Sequence, residues 1–161
     1  MAPAVICDAG PLIVLACVDE LELLRELFGT VLLPPAVRDG CLAGRGADME
    51  RIRQALGGGL RIASLRKPAA ERSPSLGKGE TEAICLALET DEALLVVDDR
   101  LARRYALARG IRIVGMVRLL DMAERRDLIR EAEPLIRRMS ASGYRISPGN
   151  SDQSATRIDQ R

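Results

Sequence analysis

The sequence predicts an α/β protein in three layers, a central parallel β-sheet with helices on both faces. Three observations carry this. Short runs that are apolar at every position, such as AVIC at 4–7 and ALLVV at 93–97, suit strands buried on both sides. The segments between such runs repeat their apolar residues at helical spacing. The two kinds alternate along the chain, as a parallel sheet with crossover helices requires.

Taken in order, residues 4–8 (AVICD) form a strand that ends in an acid. Pro11 suits the first turn of a helix. Leu12, Leu15, Ala16, Leu21, Leu23, Leu24 and Leu27 carry the helical spacing to Phe28 and Gly29, with a break near Val18 and Asp19. Residues 30–33 make a second buried strand, stopped by Pro34 and Pro35, and helices follow over 36–42 and 48–56. Residues 61–65 form a weak strand candidate, and 66–78, with Pro68, Pro74 and Gly77, a loop. Gly79 opens the helix ETEAICLALE, and 93–97 is the most apolar strand. A helix over 101–109, a strand over 111–114 and a helix pair over 116–140, broken near Asp127 and Pro134, complete the domain. The domain is expected to span residues 1–148, and the polar stretch 149–161 to be a disordered tail that could order on a partner.

A chain of 161 residues suits one domain. With one Phe, two Tyr and no Trp, its core must be aliphatic. The formal net charge of +1 gives no global field for nucleic acid, so any such contact needs a local patch. Cys7, Cys17, Cys41 and Cys85 lie in or beside apolar runs without a C-x-x-C pair, as small buried hydrophobes of a reducing compartment do. No signal-peptide pattern and no run of ~18 apolar residues occurs, so the expectation is a cytoplasmic protein with no membrane contact. The chain has no histidine, which excludes Ser-His-Asp and Cys-His triads and His-ligated zinc. Any chemistry must run on carboxylates, hydroxyls, arginines, Lys67 or Lys78.

Parallel sheets place their sites beyond the carboxyl ends of the strands. Two strong strands end there in acid, at Asp8 and at Asp98–Asp99. Each of these could instead cap the helix that follows. On ETEAICLALE, helical phase sets Ala83, Ile84, Ala87 and Leu88 on a buried face, with Glu80 in line with them and Glu82 opposite, toward water. An inward Glu in a first turn also suits the helix dipole. Two carboxylates ~4 Å apart repel by roughly 4 kcal/mol at an effective dielectric of about 20. A convergence of acids therefore calls for a hard divalent cation such as Mg²⁺ or Mn²⁺, and such a site does phosphoryl chemistry. Arg100, Arg103, Arg104, Arg109, Arg112 and Arg118 follow with no acid between Arg100 and Leu120. Arg100, Arg103 and Arg104 are the candidates for phosphate contacts with a nucleic acid, the alternative being a solvated helix face.

The segments ICDAGPLIVLA, VLLPPAV, LGKGETEAICLALE, LLVVDDRLARRYALARGIRIVG and SGYRISP together resemble the PIN-domain superfamily, over about residues 4–148. More narrowly, they are similar to a PIN branch carried as a domain of unknown function. The superfamily includes the toxin nucleases of toxin–antitoxin pairs. The resemblance implies a PIN-like α/β/α fold and an Mg²⁺- or Mn²⁺-dependent ribonuclease. It implies Asp8, Glu80 and Asp98 as metal-binding acids, with Asp99 beside them in the catalytic set, RNA and an antitoxin as partners, and a homodimer. In the family a second acid stands six residues past the first proline; here that position is Gly40, with Asp39 before it as a possible substitute. The lost acid raises a second possibility, a degenerate PIN module that binds RNA or a protein without cleaving. Other classes fit less well. Asp8 is followed by Ala9-Gly10 rather than the Asp-x-Asp of haloacid-dehalogenase phosphatases, and Val114 by Gly115-Met116 rather than a receiver's lysine. No nucleotide-binding glycine loop follows a strand.

Overall fold

The computed structural model describes residues 3–69 and 75–146. The expected tail at 149–161, the domain end at 148 and Pro74 of the expected loop lie outside the described residues. Five strands, β1 (Val5–Cys7), β2 (Val31–Leu33), β3 (Leu60–Ile62), β4 (Leu94–Val96) and β5 (Arg112–Val114), form one sheet in the order β3-β2-β1-β4-β5. Every pairing is parallel. Eight helices connect and cover it among the described residues: α1 (Ala9–Cys17), α2 (Glu22–Phe28), α3 (Pro35–Leu42), α4 (Ala47–Ala55), α5 (Lys78–Glu89), α6 (Arg100–Ala108), α7 (Met116–Arg125) and α8 (Ala132–Ala141). This is the expected three-layer α/β/α arrangement. Because parallel neighbours need a crossover, each strand passes into a helix at its carboxyl end or in the loop beyond it.

The sheet is short and wide, each strand having three residues. It is held by an aliphatic core in which Ile6, Leu12, Leu15, Leu24, Leu33, Leu95 and Ile113 are essentially inaccessible. Each such side chain contributes roughly 1.5–3 kcal/mol by leaving water. Both central strands, β1 and β4, are buried at every position. With Phe28, Tyr105 and Tyr144 only partly buried at its margin, the core is filled by aliphatic side chains of sheet and helices.

Several expectations are corrected by what packs around each element. Pro134 does not break the last helix pair; it sits in the first turn of α8, where a missing N–H leaves no bond unmade. The break lies just before, where Asp127 takes a left-handed φ of 56°. Leu88 is 49% exposed, whereas Thr81 and Leu86 are buried, so the covered arc of α5 is turned from the expected one. Glu82 is not a free solvent-facing acid: its carboxylate accepts the Ala36 N–H at 2.9 Å. That amide is an orphan donor in the first turn of α3, and α5 supplies its missing acceptor. Cys7 and Cys41 are buried as expected, but Cys17 is exposed; none of the four cysteines is in a disulfide. Among the described residues, no helix is long and apolar enough to cross a membrane.

Candidate active site

Chain order reverses at the centre of the sheet. From β1 the chain steps outward to β2 and β3, then returns to β4 on the other side of β1 and on to β5. A crevice forms outside the carboxyl ends at such a switch point. Asp8 follows β1 directly, and its N–H continues the ladder to the Val96 carbonyl at 3.0 Å. Cys7 pairs with Val96, so Asp98 lies two residues beyond the same rung of β4. Two acids far apart in sequence thus meet at adjacent strand ends.

Each acid is held differently. Asp8 occupies the N-cap position of α1 but makes no side-chain cap bond, so the capping explanation for it fails. It is only 6% exposed. Asp98 is equally buried and firmly oriented: Oδ1 accepts the Met116 N–H at 3.2 Å and faces Arg103 at 3.7 Å, while Oδ2 accepts the Tyr144 hydroxyl at 2.6 Å. It is Asp99 that caps a helix, accepting the Ala102 N–H of α6 at 2.9 Å. Glu80 accepts the Gly77 N–H at 2.8 Å, the reach-back of a capping box without its hydroxyl partner.

Asp8, Glu80, Asp98 and Asp99 all line one open cavity of about 670 Å³, together with Gly10, Gly40, Arg100, Tyr144, Arg145 and others. The remaining candidates are not brought to it. Asp39 is exposed and pairs with Arg38 at 2.9 Å, and it is the neighbouring Gly40 that reaches the lining. Arg103 is turned under the strand ends against Asp98, with its side chain 15% exposed. Arg104 is exposed and outside the lining. Farther along the arginine run, Arg109 stacks on Tyr105, Arg112 holds the Glu92 carbonyl and Arg118 pairs with Asp121. Two lining residues were missed by sequence reasoning, Tyr144 and Arg145. Nothing in the composition of the SGYRISP segment links it to a strand end 46 residues earlier.

The electrostatics follow from burial and like charge. Burial raises the Asp8 carboxyl from 3.8 to about 6; the Ala9 amide offsets part of this, and the charges of Glu80 and Asp99 push it further up. Burial also raises Asp98, against the opposing pull of the Tyr144 hydroxyl, the Met116 amide and Arg103. The Cys41 thiol is pushed up to about 12 by burial and by the Asp8 charge, so it is inert as a nucleophile. Among the described residues no three His, Cys, Asp or Glu side chains stand in a ready-made ion cage. The donor set nonetheless fits a hard divalent cation in kind. All its donors are carboxylate oxygens, and the charges acting on Asp8 are negative.

The chain thus forms an α/β domain whose carboxylate-lined crevice, without histidine, lies at the switch point of its parallel sheet. The family model DUF3368, described as a PIN domain, matches residues 4–160, and the chain belongs to this PIN-domain family. Members of the superfamily are generally metal-dependent nucleases. Among solved structures, a PilT N-terminus domain protein from the hyperthermophilic archaeon Sulfolobus solfataricus P2 is similar in fold. It shares 16% identity and a TM-score of 0.53, covering 74% of this chain and 92% of its own. No curated protein matches the chain significantly.

Proposed function

We propose that this chain is a ribonuclease that hydrolyses phosphodiester bonds with Mg²⁺ or Mn²⁺, of the toxin type found among PIN domains. The observation that carries the proposal is the convergence of Asp8, Glu80, Asp98 and Asp99 on one cavity, with Asp8 making no side-chain cap bond and raised first by burial and then by the charges of Glu80 and Asp99. A divalent cation bound among these acids would relieve their mutual repulsion.

In this proposal Asp8, Glu80 and Asp98 hold the ion, with Asp99 beside them. A divalent ion bound there supplies an acidified water and neutralises charge on the leaving oxygen. The protein's own part is orientation. Arg103, the Met116 amide and Tyr144 fix the orientation of Asp98. Arg100, at the cavity and at the start of α6, is the residue of the original trio suited to bind a phosphate. An antitoxin partner and a homodimer extend the proposal on the family resemblance, and a cytoplasmic location on the sequence composition.

Gly40 favours a second possibility, a module that binds RNA or protein without cutting. It lines the cavity where the family carries an acid, and Asp39 faces away. Titration calorimetry with Mn²⁺ distinguishes occupancy from emptiness. Wild type should bind Mn²⁺ with an affinity that Asp8→Asn removes, whereas a wild type that takes up no Mn²⁺ rules out the catalytic proposal.

A further inference from the structure

The nuclease proposal leaves one wall of the cavity without a role. Asp8, Glu80, Asp98 and Asp99 line the cavity with Arg100 and Arg145 as the cations, so acids outnumber arginines there. A polyanion approaching four carboxylates needs cationic contacts on more than one side. Arg100 supplies one from α6. Arg145 comes from the segment after α8 and is exposed.

Two features direct that segment. Gly143 takes a φ of 92° just past the end of α8, the left-handed turn that ends a helix and swings the chain away from its axis. Its N–H closes on the Ser140 carbonyl at 3.0 Å. The next residue, Tyr144, then ties the chain to the floor of the site through its 2.6 Å bond to Asp98. The anchor is firm because Asp98 is itself buried and held by Met116 and Arg103. A charge-assisted bond to a buried carboxylate is among the stronger single contacts a loop can make.

We infer that Arg145 is a contact for a phosphate of the RNA backbone, and that Tyr144 is the positioning residue that holds it at the cavity. This rests on the ribonuclease proposal for the same site. Arg145 contributes affinity independent of base sequence, since a guanidinium on a phosphate reads no base. Tyr144 acts only through the placement of its neighbour and of Asp98.

The test is binding of a single-stranded RNA oligonucleotide in EDTA at several salt concentrations, for wild type, Arg145→Gln, Tyr144→Phe and the double variant. Steady-state cleavage in Mn²⁺ accompanies it. Arg145→Gln should weaken binding by a similar factor for unrelated RNA sequences and flatten the salt slope by ~0.7. In cleavage it should raise KM more than it lowers kcat. Tyr144→Phe, which keeps the ring, should weaken binding as well. The double variant should then bind like Arg145→Gln alone, because the two residues act as one unit. Arg145→Gln binding and cleaving like wild type overturns the inference while leaving the nuclease proposal standing. Additive effects in the double variant overturn the positioning role of Tyr144. A wild type that binds no RNA overturns both.

Discussion

Asp8 is a carboxylate that the fold buries at a cost. Its pKa rises from 3.8 to about 6, and a shift of that size amounts to up to about 3 kcal/mol. The sign is that of an acid whose native form prefers the proton. Stability of the metal-free protein therefore falls as pH rises from about 4 through about 6. Burial raises Asp98 too, which adds to the same trend. A cation reverses it, because the ion requires the deprotonated carboxylate. Two outcomes are expected at pH 8. Asp8→Asn should melt higher than wild type without metal, by roughly 1–3 kcal/mol, and should lose the rise in stability that Mn²⁺ gives. Denaturant melts with and without Mn²⁺ check both. A variant that is destabilised without metal would mean that the hydrogen bond from the Ala9 amide to Asp8 outweighs the cost of burial and that the residue is held for the fold rather than for an ion. The neighbouring helix acids should also separate. Glu80→Gln should abolish metal-dependent cleavage, whereas Glu82→Gln should retain it and lose about 1 kcal/mol or less of stability, since an amide oxygen can still accept the Ala36 N–H.

At the scale of elements, strands and helices were legible because apolar runs and helical spacing report burial directly. The acids at Asp8 and Asp98 were legible because strand ends are chemical positions in parallel sheets. What was not legible depended on neighbours distant in sequence. Helical phase set Glu82 opposite the core, but only the packing of α3 on α5 gives it the Ala36 amide. The arginine run marked a basic segment, yet tertiary contacts disperse it, sending Arg103 inward to Asp98 and Arg109 onto Tyr105. Tyr144 carried no periodic signal at all. Two element-level predictions follow from space around glycines. A Cβ at Gly115, the residue preceding α7, would collide with the Arg103 guanidinium and stand 3.0 Å from Asp98 Oδ1. Gly115→Ala should therefore weaken Mn²⁺ binding by disturbing Asp98, read by calorimetry; unchanged affinity would show that Asp98 orientation does not matter. Gly40, within α3, meets nothing within 4 Å and lines the cavity. Gly40→Glu should gain up to about 1 kcal/mol of helix propensity while adding a fifth carboxylate to the four that line the cavity. Its signature is a larger metal-induced stabilisation and faster cleavage than wild type. Equal metal responses in the two proteins would remove the idea that Gly40 marks a lost ligand.

At the scale of the molecule, the sheet order β3-β2-β1-β4-β5 brings the carboxyl ends of β1 and β4, far apart in sequence, to one crevice, so an ion bound there would be coupled to global folding. Mn²⁺ at one hundred times its Kd should stabilise the native chain by about 2.7 kcal/mol, or roughly 5–10 °C in Tm. The measurement closest to the central claim is cleavage of a single-stranded RNA by the full chain in Mn²⁺, beside folded Asp8→Asn and an EDTA control. Wild type should cut, EDTA should stop it, and Asp8→Asn should lose at least about a hundredfold in rate. Cutting that survives EDTA or Asp8→Asn, or RNA that is bound and never cut, would contradict a carboxylate-held metal nuclease.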